Sequence, residues 1–226
     1  MRRLLLPLLL LAAGPAAAQE DFLMGSVVKS DRWTMDRAAD QELFDGNVSF
    51  RNPKYTLKAD RALYDRKARA WDIKGAVDVR RSFEDGTLVE AACDSARYLE
   101  DSETAFMERG RLPVRMKYTA PDGQALHGRS DRARAENRPG LMHFEGSFAL
   151  STENLDIYSM KGLYDRNSET FLITDSTPMA VGKREGYDFA INSESIKFFK
   201  DSRDIKFYNN VTGWVKDNPE KPFAAK

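Results

Sequence analysis

The chain has 226 residues, with 35 Lys and Arg against 35 Asp and Glu, two His and a single Cys. Charge so balanced, and interspersed rather than blocked, offers no general attraction to nucleic acid, and one Cys excludes an internal disulfide. The mature length suits one domain large enough to bury a core without staples.

Arg2 and Arg3 precede the apolar run Leu4–Ala13, and Gly14, Pro15 and three Ala follow. A basic start, a short apolar run and a small-residue site predict a secretory signal peptide over residues 1–18, cleaved after Ala18 to leave Gln19 first. The run is well short of the ~20 residues of a membrane helix. The expected product is exported, with a formal charge of −2 once Arg2 and Arg3 are gone (33 bases, 35 acids). A lead-in over residues 19–29, a domain over 30–216 and a flexible tail over 217–226, with Pro219 and Pro222, complete the expected organisation.

The domain repeats itself. LKADRALYD (Leu57–Asp65) has near-copies at Val28–Asp36, Ala91–Leu99, Gly128–Glu136, Ile157–Asp165 and Ile191–Phe199. The third position is always small: Ser30, Ala59, Cys93, Ser130, Ser159 and Ser193, spaced by 29, 34, 37, 29 and 34 residues. A period in that range marks a supersecondary array. A second phrase alternates with the first and centres on a Gly, as in LFDGNVSF (Leu43–Phe50), WDIKGAVDV (Trp71–Val79), FMERGRLPV (Phe106–Val114) and HFEGSFAL (His143–Leu150). Its later copies, Ile173–Val181 and Phe207–Val215, lose that Gly, and the fourth copy of the first phrase has Ala135 where Tyr64 stands in Leu57–Asp65.

Both phrases read as strands. Trp71, Ile73, Gly75, Val77 and Val79 share one parity and Asp72, Lys74, Ala76 and Asp78 the other, a period of two with one buried face. In the first phrase Leu57 and Ala59 share a face, and after Asp60-Arg61 the apolar parity resumes at Ala62 and Tyr64; the slip predicts a bulge or built-in bend. Turn residues such as Asp65-Arg66-Lys67, Asp85-Gly86 and Pro121-Asp122-Gly123 separate the strands. The expected fold is all-β, about a dozen antiparallel strands in a sheet folded over to cover its apolar face.

No site for chemistry stands out. His127 and His143 lie in different strands without ligand-spaced partners, and no phosphate loop, nucleophile elbow or Cys/His pair occurs. The chain reads as a non-enzyme without cofactor or metal. What remains is the inward face: Leu57, Trp71, Ile73, Val77, Phe106, Phe144, Phe148, Leu150, Ile157, Phe171 and Ile173, set among the small Ala59, Gly75, Cys93, Gly146 and Ser159. Protein interiors are densely packed, so small residues along an inward face suggest space for an apolar ligand; pattern alone leaves a dry core equally open.

GNVSF (Gly46–Phe50), then LKADRALYD, then GAVDV (Gly75–Val79), behind a signal peptide, resemble the OstA-like (LptA–LptC) family of lipopolysaccharide transport proteins, from about Ser30 to Val215. The resemblance implies a folded-over β-jellyroll, open at both ends, with the eleven inward residues as a lipid-binding trough. It implies lipopolysaccharide or a related glycolipid as cargo, and other OstA-like domains, or further copies of the chain, as partners at the terminal strand edges. A cleavable signal favours the soluble bridge component over the membrane-tethered LptC-like one. A structural or carbohydrate-binding β-repeat of the envelope is the alternative.

Overall fold

The computed structural model describes residues 27–184 and 186–217; the expected signal peptide, most of the lead-in and the tail beyond Asp217 lie outside them. All eighteen elements are strands. Val27–Lys29, the end of the expected lead-in, is already strand.

The strands form twelve antiparallel rungs that follow chain order. Six rungs are continuous: β3 (Gln41–Arg51), β4 (Tyr55–Asp65), β5 (Ala70–Ser82), β6 (Leu88–Leu99), β11 (Leu141–Ser151) and β12 (Leu155–Asp165). Six are broken in the middle: β1 (Val27–Lys29) with β2 (Arg32–Asp36), β7 (Thr104–Glu108) with β8 (Val114–Thr119), and β9 (Ala125–Ser130) with β10 (Arg132–Glu136). The others are β13 (Thr170–Thr174) with β14 (Met179–Arg184), β15 (Tyr187–Asn192) with β16 (Ser195–Phe199), and β17 (Ile205–Tyr208) with β18 (Thr212–Asp217). The dozen strands expected from sequence are these rungs.

Each rung bends at its middle, so the sheet doubles into two leaves. One leaf runs β2-β3-β4-β5-β6-β7-β10-β11-β12-β13-β16-β17. The other runs β1-β3-β4-β5-β6-β8-β9-β11-β12-β14-β15-β18. Inward side chains of the two leaves face each other, and β1/β2 and β17/β18 each pair on one side only.

The bend has a repeated chemistry. In β5, Gly75 (φ +77°) and Ala76 (φ +45°) are both left-handed, and the register shifts there against β4 and β6. Asp60, on the neighbouring rung, lies so close to Gly75 that a Cβ there would overlap its carboxylate. Asp31 under Gly46 and Asp131 under Gly146 repeat the arrangement, and the Asp31 N–H donates to the Gly46 carbonyl at 2.9 Å. At three of the four copies with Ser in the third position it spans the bend: Ser30, Ser130 and Ser193 Oγ donate to the carbonyls of Arg32, Arg132 and Ser195 at 3.0, 2.9 and 2.8 Å. The parity slip at Asp60-Arg61 is thus a real bend, but the extra residue lies in the neighbouring Gly strand.

The last third keeps the repeat without its Gly. Asp175, Ser176 and Thr177 (φ +75°, +54°, +53°) make one bend, and Asn209 and Asn210 (φ +57°, +45°) the other. Asp and Asn are among the residues that tolerate this region best.

Gly75→Ala should therefore cost about 3 kcal/mol or more, combining left-handed strain with the collision against Asp60. Gly123→Ala, at φ +85° with open space around it, should cost only about 1 kcal/mol. Urea unfolding midpoints of the two variants measure the difference.

Candidate functional site: an apolar cavity between the leaves

The interior is packed at both ends and thin in the middle. Towards the N-terminus Val48, Phe50, Leu57, Ala62, Trp71, Ile73 and Val77 form one cluster. There the Trp71 ring stacks on Tyr64 (4.5 Å between centroids) and meets Phe50 edge-on at 5.0 Å. A larger cluster, including Phe144, Phe148, Leu150, Ile157, Phe171, Ile173, Ile196 and Phe198, fills the C-terminal half. The two meet at Cys93 and Ala96, which touch both.

Two adjoining cavities open there, of about 310 and 460 Å³. They share Phe83, Val89, Met116, Met142, Tyr164 and Arg166, and their walls are mostly apolar. The cause is visible along one row of the first leaf. Tyr64, Trp71 and Tyr98 lead into it and Tyr164, Phe171 and Phe198 lead out, each opposite the next through the strand register. Between them stand Ala105, Ala135 and Met142. Ala91 of β6 and Gly128 of β9 are likewise small where Leu57 and Ile157 stand in flanking copies, and Cys93 and Ala96, small as in the other copies, border the same space. The aromatic row is broken for three rungs, and the space it would fill is the cavity.

The eleven inward residues expected from sequence divide into three groups. Leu57, Ile73 and Val77 line the first cavity; Phe144, Leu150 and Phe171 line the second. Trp71, Phe148, Ile157 and Ile173 are buried in the packed clusters and line neither. Phe106 is a correction: it is on the outer face, 37% exposed, while Met107 points inward. Met107 pairs with Ala96 as Ile73 does, yet stands three residues before Gly110 where Ile73 stands two before Gly75. One extra residue before the Gly reverses the parity of β7. The small residues divide as well. Gly75, Gly146 and Ser159 are small because the bends require it, Ser159 Oγ donating to the carbonyls of Thr174 and Asp175 at 2.5 and 2.6 Å. Of the small residues singled out, Cys93 borders the cavity. Sequence reasoning passed over Ala91, Ala96, Ala105 and Gly128; aligning the six copies column by column would have found Ala91 and Gly128, which stand where Leu57 and Ile157 do.

Polar groups organise the open side, where the hairpin ends of the leaves face each other. Glu100 accepts from Trp71 Nε1 and Tyr64 Oη, both at 3.0 Å, and fixes the rim of the aromatic row. Lys200, in the turn before β17, donates to Glu169 at 2.6 Å and lies 4.6 Å over the ring of Tyr118 on the opposite leaf. Burial opposes its charge, but the Glu169 hydrogen bond and the nearby Tyr164 and Tyr118 hold its pKa above the ordinary lysine value. The pair clasps the leaves beside the second cavity. Burial, with the Asp94 charge, pushes the Cys93 thiol up to about 12.

Among the described residues no three His, Cys, Asp or Glu side chains are grouped to hold a metal ion. Glu136 does come within 3.7 Å of His143 across the strands. No described helix is long and apolar enough to cross a membrane.

No protein-family model and no curated protein sequence matches the chain. Among solved structures, one match is LptH of Pseudomonas aeruginosa, described as the LptA-homologous periplasmic component of the conserved lipopolysaccharide transport device. It shares 10% identity over 84% of this chain and 94% of its own, with a TM-score of 0.23. Likeness at that level does not define a common fold. The class rests on the coordinates alone: an all-β, antiparallel sheet folded into two leaves around an apolar cavity.

A thiol held so far up has little thiolate at neutral pH, and thiolate is the reactive form. Alkylation of Cys93 by iodoacetamide should be slow at neutral pH and still accelerating at about pH 10, where an ordinary thiol of pKa ~8.5 has levelled off. Rate constants measured across that range check it.

Proposed function

We propose that this protein is a non-catalytic periplasmic carrier of the OstA-like kind, lodging the acyl chains of lipopolysaccharide or a related glycolipid between its leaves on the way to the outer membrane. The observation that carries the reading is the interruption of the aromatic row. Six flanking rungs carry a ring in that row, and the three rungs between them border apolar space. An unfilled apolar void forfeits contacts, whereas an acyl chain entering it gains about 0.8 kcal/mol per CH₂ buried. The export pattern at the N-terminus agrees with such a role.

The ends of the array support the partner side. Among the described residues β1/β2 and β17/β18 have an unpaired edge each, and Val27, Trp33, Trp214 and Val215 stand more than half exposed beside them. Unpaired strand edges accept another sheet, so a similarly folded domain, or a second copy of this chain head to tail, would continue both leaves. The signal peptide expected from the sequence, if cleaved, favours the soluble bridge role over the tethered one.

Photo-crosslinking residues at Ile73 or Phe171, which line the cavities, should capture glycolipid in cells, while probes at Phe106 or Lys74 on the outer face should not. Ala135→Tyr, which restores the aromatic row, should reduce capture at Ile73 with little loss of stability, within about 1.5 kcal/mol. Equal labelling from both faces, or none, would favour a structural β-repeat instead.

A further inference from the structure

The walls of the first cavity are apolar except at its rim, and there the charges are unequal in their commitments. The two carboxylates that line it are engaged. Glu103 accepts from Asn137 Nδ2 at 2.6 Å and Arg138 Nε at 3.2 Å, and Glu136 pairs with Arg134 at 2.8 Å. Two of the lining guanidiniums have no acid partner among the described residues. Arg81, near the end of β5 on one leaf, lies 4.9 Å over the ring of Tyr55 and 4.3 Å over that of Phe83. The guanidinium of Arg166, in the turn after β12 on the other leaf, donates to Asn137, to Oδ1 at 3.3 Å and to the carbonyl at 2.9 Å. Arg97, the third, is held loosely by Asp72 at 3.8 Å.

We propose that Arg81 and Arg166 form a two-sided clamp for an anionic headgroup, phosphate or carboxylate, carried by an amphiphile whose chains occupy the cavity. The proposal rests on the carrier reading and narrows its cargo. A guanidinium offers five N–H donors in a planar fork suited to such oxyanions. Stacking on two rings fixes the plane of Arg81 and leaves its N–H edges free. Both cations border a low-dielectric space, where an opposite charge is attracted more strongly than in water. The arginines come from opposing leaves, so a headgroup between them sits at the cavity mouth with its chains directed inward.

The test compares amphiphiles with one tail and different heads: dodecyl phosphate and dodecanoate, which are anionic, and dodecanol, which is neutral. Displacement of an apolar fluorophore from the whole mature protein reads their affinities, with inorganic phosphate as a separate competitor. Dodecyl phosphate should bind about tenfold or more tighter than dodecanol, with dodecanoate between them and the advantage shrinking as salt rises. Arg81→Gln and Arg166→Gln should each reduce that ratio and the double variant should bring it near one, with dodecanol binding and urea midpoint unchanged. Arg81→Lys, which keeps charge but loses the fork, should recover only part of it. Equal binding of charged and neutral amphiphiles, or a ratio unchanged in the double variant, would overturn the clamp and leave the carrier reading standing. Competition by inorganic phosphate alone at the same affinity would make the site one for a free anion, and overturn the headgroup assignment. If no amphiphile binds, the carrier reading fails and the clamp fails with it.

Discussion

The fold depends on a backbone constraint repeated down the chain: two consecutive residues in the left-handed region at the middle of a strand, with an Asp of the next rung closed over them. Strands twist but do not turn back on themselves unaided. The double left-handed step supplies the bend, and the neighbouring Asp N–H supplies the hydrogen bond that a disrupted ladder would otherwise lose. Because the same step recurs at the same height on alternate rungs, among them β3, β5 and β11, the bends line up and one sheet becomes two facing leaves. The apolar parity of every strand then converges on one interior.

Much of this was legible in the residues. The number of rungs, the alternation and the parity slip all follow from the phrases Leu57–Asp65 and Trp71–Val79, because strand burial has a period of two and the bend leaves a fixed mark on it. The error at Phe106 has the same origin: one additional residue before Gly110 reverses every assignment on β7, and nothing in the local pattern announces which side of the insertion keeps the register. The position of the cavity was present in the sequence too, as Ala91, Gly128 and Ala135 where flanking copies have Leu57, Ile157 and Tyr64, but spread over two copies. Small residues at Gly75, Gly146 and Ser159 obscured it, since these serve the bend. Arg81 and Arg166 were not legible at all. They are 85 residues apart in the chain, and only the folding-over of the leaves brings both to one rim.

The polar features follow the same geography. Acids and bases on the outer faces pair across neighbouring rungs, as Arg32 with Asp45 at 2.6 Å and Arg132 with Glu145 at 3.1 Å, in exposed positions where such pairs contribute little. Partly buried polar groups cluster at the hairpin ends of the leaves, where Glu100, Glu103 and Lys200 each hold several partners. These contacts set the width of the opening, while the apolar clusters behind them carry the packing.

The split in the core has a mechanical consequence. Two well-packed blocks are joined across rungs where Ala91, Cys93, Ala96, Ala105 and Ala135 border open space, so side-chain packing between the blocks is thinner there than within either. Ladders resist shear along the strands but yield more readily to bending across them than interlocked side chains do. The centre of the array is therefore where the two leaves are held apart by the fewest side chains, with the rings packed at either end. Whatever occupies that gap becomes the missing layer of side chains, and stiffens the molecule by completing its interior.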